Sequence, residues 1–318
     1  MSIKKLFADP LILLTPGRCF SSVVCAMLGQ HPQMYDLLET QLLTRETMTE
    51  WWEDFGANIH AHGLCRSVAE IVWGEQSPRS VREARRWLWQ RREWTTGDVL
   101  RELAEHLYPL VLVEKTPMLS YDGGHMERAL RFFPEARFLH LVRHPAGYGR
   151  SLLEFFEQRG PRGPRRAEAL LRHPESIFFG MIDETADPPA LDPQLAWRLR
   201  TADVMAFTSR LAEHQRICIR GEDILGDPER TLSRIVHWLG LRSDAAAISA
   251  MLHPERSPFA CLGPWNARFG GDPKFLRDPV LRPFRYQEPS LDQPVPWRSD
   301  GASFTGEVRD LAGKLGYR

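Results

Sequence analysis

"LILLTPGRCFSSVVCAMLGQHP", residues 11–32, runs from a short stretch of apolar side chains into a Pro-Gly turn. An arginine, two serines and a helical pattern follow. A run of this length and branched content predicts a buried strand. A strand that enters a glycine turn and then a helix start aims several backbone N–H groups at one spot. The helix dipole adds positive potential there, so an anion can bind. Gly17, Arg18, Cys19, Phe20, Ser21 and Ser22 therefore form a candidate anion loop. Arg18 supplies the cation, and Ser21 and Ser22 can cap the helix or donate to a phosphate. An ordinary strand-to-helix turn with a serine N-cap accounts for the same residues. The ATPase loop GxxxxGK[ST] is absent, since Phe20 and not lysine precedes the serines.

Three further apolar runs, at 110–114, 137–142 and 216–220, have the same character. Helical patterns separate them at 21–30, 98–107, 124–133, 146–158, 195–214 and 228–239. This alternation predicts an α/β domain: a parallel sheet flanked by helices on both faces. The stretch 47–94 holds Trp51, Trp52, Trp73, Trp87, Trp89 and Trp94, and its helices are read either as a lid within 44–95 or as ordinary core. "QRGPRGPRRAEAL" (158–170) reads as a surface loop, and 254–298 as an irregular segment that wraps the domain.

Composition narrows the functional classes. Lys+Arg and Asp+Glu both number 41, so the chain has no net charge and is not a generic nucleic-acid binder. No apolar run reaches membrane-spanning length. Asp9 and Pro10 divide the apolar runs of the N-terminal stretch, which does not read as a signal peptide. Five scattered cysteines without a CxxC pair argue against a disulfide framework or a zinc site, and fit a reducing cytoplasm. No metal-ligand cluster is apparent, and no metal is expected.

"RFLHLVRHPAGYGRSLLEFF" (137–156) carries a second anion motif. The strand delivers Arg143 to its C-terminal end, and Pro145 can start a helix at no hydrogen-bonding cost. Ser151 lies in that helix, and an arginine fork with a hydroxyl suits a dianionic phosphate. A surface arginine and a solvated serine are the plain alternative.

"TPGRCFSS" with the following "HP", then "VEKTP", "FLHLVRHPAGYGRSL" and "RGEDILGDPERTLSRIVHWLGL" occur in the order seen in sulfotransferases that use 3′-phosphoadenosine-5′-phosphosulfate (PAPS). The resemblance covers most of residues 10–242. It extends to bacterial members, including modules of polyketide assembly lines. It implies a P-loop-like parallel sheet with a helical lid insertion, and one sulfotransferase domain over 1–318. The implied reaction moves a sulfuryl group from PAPS, as co-substrate, to an acceptor hydroxyl. The acceptor is a small-molecule natural product or a carrier-bound acyl chain.

The resemblance also implies roles. Arg18, Ser21 and Ser22 hold the 5′ phosphosulfate, with Gly17, Cys19 and Phe20 in the same loop. Arg143 and Ser151 hold the 3′-phosphate. Lys115 lies by the sulfuryl group; a salt bridge to Glu114 is disfavoured because adjacent strand residues face opposite ways. In "FGGDPKF", Gly270, Gly271 and Lys274, with Arg268 before them, close over the 3′-phosphate. Many relatives have a histidine at the end of "KTH", where this chain has Pro117, so the base must be found elsewhere. Glu39, seven residues after Pro32, is the candidate, with Asp36 as its rival; Gln41 can orient an acceptor hydroxyl. Two departures stand out. Many relatives have Arg-Ser-Gly where this chain has Arg18-Cys19-Phe20, and an aromatic residue where it has Gly221. The competing classes are a P-loop kinase or NTPase, which needs a loop lysine, and a non-catalytic nucleotide binder.

Overall fold

Strand β1 (Leu11–Leu14) is the centre of the molecule, and all four of its side chains are fully buried. The computed structural model describes residues 8–159 and 164–318. β1 runs into helix α1 (Ser21–Gly29), which leads to β2 (Met34–Asp36). Four helices follow: α2 (Met48–Phe55), α3 (Ala61–Trp73), α4 (Pro78–Gln90) and α5 (Thr96–Leu107). Then come β3 (Val111–Glu114), α6 (Gly123–Phe132), β4 (Arg137–Val142) and α7 (Pro145–Arg159). Helix α8 (Pro164–Arg172) and a short antiparallel pair, β5 (Ile182–Asp183) with β6 (Ala190–Leu191), precede α9 (Pro193–Ser209) and β7 (Arg216–Arg220). The chain ends with α10 (Gly221–Gly226), α11 (Pro228–Leu239), α12 (Ala245–Met251), α13 (Pro273–Arg277) and α14 (Gly306–Lys314).

The main sheet has the order β2-β3-β1-β4-β7 and is parallel throughout. Leu11 sits in register with Val113 on one side and Arg137 on the other. Side chains alternate across a strand, so β1 feeds two cores. Ile12 and Leu14 join Trp51, Leu64, Leu88, Leu100, Phe138 and Val204; Leu11 and Leu13 join Val24, Met27, Ile235, Val236 and Met251. Helices therefore cover both faces, as the alternation of runs implied. β1 lies between β3 and β4, and the three strands point the same way. The residues just beyond their C-terminal ends, Arg18, Lys115 and Arg143, consequently gather at one edge of the sheet.

Three elements differ from the sequence expectations. β2 was not foreseen, because a three-residue edge strand containing Asp36 shows no apolar period. The stretch 158–170 is not simply a loop: α7 extends to Arg159 and α8 begins at Pro164, where proline suits a first helical turn. Residues 160–163 lie outside the described residues. The tryptophans divide. Trp51 is core, with its indole N–H donating to the Thr40 carbonyl at 3.0 Å, while Trp73, Trp89 and Trp94 are exposed. Helices α2, α4 and α5 each start with a capping box, on Thr47, Ser77 and Thr95. The segment 254–298 is mostly irregular, and Phe259 and Leu276 anchor it against Leu38.

Candidate active site

The turn after β1 is built from left-handed backbone. Gly17 has φ 76°, Arg18 φ 55° and Phe20 φ 66°. Glycine takes that conformation freely, whereas arginine and phenylalanine pay for it, and such strain collects at functional sites. A side chain at position 17 would also crowd Ile177 Cδ1 at 3.0 Å and the Tyr121 hydroxyl at 3.3 Å. The N-cap of α1 is Phe20, with no side-chain cap, so the expected serine cap does not form. Ser21 and Ser22 are instead the first helical residues, leaving the backbone N–H groups of that turn without a side-chain acceptor among the described residues.

Arg18 crosses to α7. Its Nε donates to Ser151 Oγ at 3.2 Å, and the guanidinium lies 4.9 Å from the Phe155 ring centroid. Its Nη1 donates to Asp272 Oδ2 at 2.9 Å. Asp272 also caps α13 by accepting from the Lys274 N–H. Arg143 donates through Nη1 to the Arg18 carbonyl at 2.8 Å and sits 4.2 Å from the Phe20 ring centroid. Its Nε is buried without a hydrogen-bond partner, and burial lowers its pKa from the ordinary arginine value. Arg18, Phe20, Ser21, Ser22, Arg143 and Ser151 line one wall of a cleft of about 530 Å³. Asp272, Lys274, Phe275 and Phe284 line the other.

Lys115 extends from the end of β3 with its side chain only 3% exposed. Its Nζ donates to Glu39 Oε1 at 2.6 Å and to Ser22 Oγ at 3.3 Å. Burial works against the ammonium, but the Glu39 carboxylate outweighs it and holds the pKa above the usual lysine range. Glu114 faces away, as strand alternation requires. It is fully buried and accepts from Thr40 and Thr116 hydroxyls at 3.0 and 2.7 Å. Burial pushes its carboxyl up to about 7.

Two backbone contacts fix Glu39. Its N–H donates to the Gly270 carbonyl at 2.7 Å, and a Cβ at Gly63 would lie 2.0 Å from the Glu39 carbonyl oxygen. Gly270 has φ 125°, and a Cβ there would lie 2.7 Å from Gly63 Cα. Three stretches of main chain thus pack without intervening side chains. Arg66, buried on α3, holds the same loop by donating to the Phe269 and Cys261 carbonyls at 3.0 Å each. Asp36, the rival base, is buried and accepts from Ser257 Oγ at 2.7 Å; burial pushes its carboxyl up to about 7. It presses on Gly29, where a Cβ would meet Asp36 Oδ1 at 2.0 Å. Gln41 is buried and left-handed, φ 59°, with its Oε1 unpartnered.

The remaining residues fall variously. The Cys19 side chain is buried beneath the loop, where burial pushes the thiol up to about 12, so only its main chain is at hand. Gly271 lies between the Leu38 side chain and a small void that Ser22 and Lys115 also line. Lys274 is exposed at the cleft rim, its Nζ 3.7 Å from Glu154 Oε2. Arg268 is exposed, is not among the residues lining the cleft, and its carbonyl accepts from the Gly263 N–H. Asp272, Phe284 and Gly63 are given no role by the sequence reading; the Asp-Pro pair at 272–273 is a helix-start signal by which the first of them could have been found. Glu222 of "RGED" accepts from the His144 N–H at 2.9 Å and the Tyr317 hydroxyl at 3.0 Å, fixing the main chain next to Arg143.

Among the described residues no cluster of His, Cys, Asp and Glu is placed to hold a metal ion, and no helix is long and apolar enough to cross a membrane. The fold has solved counterparts. A sulfotransferase domain from the curacin biosynthetic pathway superposes with a TM-score of 0.71 at 20% identity, covering 98% of this chain and 99% of that one. A sulfotransferase domain from the Synechococcus PCC 7002 olefin synthase gives 0.69 at 20% identity, covering 100% and 98%. No curated protein sequence matches significantly. The sequence profile described as "Sulfotransferase family" matches residues 10–245. With most of its length matched, and with the two anion motifs brought into one cleft, the chain belongs to the sulfotransferase family.

Proposed function

We propose that the protein transfers a sulfuryl group from PAPS to an acceptor hydroxyl. One observation carries the donor assignment: Arg18 and Arg143, from two different strand ends, line one cleft with Ser21, Ser22 and Ser151, and Arg143 is largely desolvated there with no ion-pair partner among the described residues. A desolvated cation without a counter-charge is costly alone, and an anion relieves that cost. PAPS fits, because it brings two anionic groups to two arginine motifs.

Arg18, Ser21, Ser22 and the N–H groups of the first turn of α1 hold the 5′ phosphosulfate. Arg143 holds the 3′-phosphate with Ser151, whose Oγ accepts from Arg18 and whose hydrogen is left to donate. Gly270, Gly271 and Lys274 close the loop over this side of the cleft. PAPS supplies the sulfuryl group, whose bond to phosphate oxygen breaks as a bond to the acceptor oxygen forms. Lys115 neutralises charge on the departing phosphate, and Glu39 takes the acceptor proton at a carboxylate oxygen.

The two similar domains come from natural-product pathways, which supports a hydroxylated acyl or other small-molecule acceptor, free or carrier-bound. All five cysteines are free, in keeping with a cytoplasmic reaction. Calorimetry with adenosine 3′,5′-bisphosphate and ATP tests the donor assignment. The bisphosphate is expected to bind at least ~10-fold more tightly, the equivalent of about 1.4 kcal/mol. Equal or tighter binding of ATP overturns it.

A further inference from the structure

Phe20 and Gly221, far apart in the chain, meet in space. Gly221 opens α10, and a Cβ built on it would lie 2.5 Å from Phe20 Cδ2 and 3.3 Å from Phe20 Cε2. No real Cβ sits that close to a ring, so residue 221 and the Phe20 ring claim one volume. Over the face of that ring stands the Arg143 guanidinium, 4.2 Å from the centroid. Phe284 meets the ring edge-on at 5.7 Å. Among the described residues no carboxylate lies within ion-pair distance of Arg143; Glu222 attracts it from further off, and the ring and the Arg18 carbonyl are its near contacts. The left-handed φ of 66° at Phe20 turns the side chain into this place, against the preference of a non-glycine residue.

We propose that Phe20 is a positioning residue that fixes the Arg143 guanidinium for the 3′-phosphate, and that Gly221 is its steric partner, leaving the volume that the ring fills. This role for the donor rests on the PAPS reading, whereas the steric pairing itself does not. The cation lies on the electron-rich ring face, so the ring attracts it and limits its rotation. Glycine at 221 is required because any side chain there displaces the ring.

The test combines variants, nucleotides and melting temperatures in the full chain. Phe20→Leu keeps apolar volume and removes the ring face. It is expected to weaken adenosine 3′,5′-bisphosphate by about 3- to 30-fold, the span of a cation–π contact. Adenosine 5′-monophosphate, which lacks the 3′-phosphate, should be weakened less than the bisphosphate, since the Arg143 contact is not part of its binding. Gly221→Phe alone should lower both the melting temperature and bisphosphate affinity. Adding Phe20→Gly should recover both, because the new ring enters the vacated space and the left-handed backbone is relaxed. A double variant that melts no higher than Gly221→Phe overturns the steric pairing. Equal loss of both nucleotides in Phe20→Leu overturns the positioning role. Preference of the wild-type protein for ATP would overturn the PAPS reading instead, and the melting-temperature rescue would still decide the steric pairing.

Discussion

Lys115 Nζ and Glu39 Oε1 are 2.6 Å apart, and the same ammonium reaches Ser22 Oγ at 3.3 Å. One buried cation therefore joins the candidate base to the first turn of the anion-binding helix. The group that would neutralise the departing phosphate also fixes the group that would receive the proton. Residues that act as such a unit do not contribute independently. Lys115→Met is expected to lower kcat by about 10²- to 10³-fold, the scale for losing one preorganised charge. Combining it with Glu39→Gln should cost far less than the product of the two single losses. Single-turnover rates for the three variants check this, and losses that multiply contradict it.

Arg143→Ala should weaken nucleotides carrying a 3′-phosphate much more than adenosine 5′-phosphosulfate, which lacks one. Removing one partner of a buried charged contact costs about 2–5 kcal/mol, tens- to thousands-fold in affinity. Calorimetry on both nucleotides reads the difference. Equal losses would place the 3′-phosphate elsewhere.

Asp272→Asn should tighten anion binding. Asp272 Oδ2 accepts from Arg18 Nη1 at 2.9 Å, so a carboxylate of this chain already occupies the guanidinium that the donor needs. The two side chains are 12% and 26% exposed, so the pair gains from partial shielding but also carries the cost of desolvating both charges, and the net is small. Relieving it is worth about 1 kcal/mol or less, a gain of up to ~5-fold in affinity for adenosine 3′,5′-bisphosphate. Weaker binding by the variant would show that Asp272 helps to build the site.

Asp36 and Glu114 make stability depend on pH. Burial raises both carboxyls to about 7 in the folded chain, from ordinary values of 3.8 and 4.5. Folding therefore favours their protonated forms. Their contribution is complete below about pH 4 and is lost as pH rises through about 7. Each accounts for roughly 2–4 kcal/mol across that window. Asp36→Asn should flatten the fall in melting temperature between pH 5 and pH 8, and so should Glu114→Gln. A slope unchanged in both variants would mean that other groups set it.

Much of this site was readable because its cations follow apolar runs. Arg18, Lys115 and Arg143 each stand just past a stretch that can only be a buried strand, and parallel strands bring such residues to one edge. Glu39 was reached through the resemblance, and its surroundings were not visible in the chain. Gly63 looks like any glycine within an amphipathic helix until Glu39 and Gly270 pack against it from distant segments. Ser151 was read as the partner of Arg143, yet it accepts from Arg18, because the turn after β1 throws that side chain across to α7. Phe20 has no evident part in an anion loop until its ring is seen to fill the space beside Gly221 and to face Arg143. Contacts between segments this far apart carry no local period or spacing, which is why the chain alone did not reveal them.

Sulfuryl transfer with Glu39 as base is measured directly as transfer of label from sulfur-labelled PAPS to a panel of alcohols, phenols, hydroxyacyl thioesters, glycans and tyrosine peptides. The wild-type protein is expected to label at least one hydroxyl class. Glu39→Gln is expected to do so at ~1% of that rate, the usual loss for a general base, with bisphosphate affinity little changed. Asp36→Asn, whose carboxylate is spent on Ser257, should stay near the wild-type rate once folded. Transfer of labelled phosphate from ATP with no transfer from PAPS would contradict the account. So would near-normal turnover in Glu39→Gln alongside its loss in Asp36→Asn.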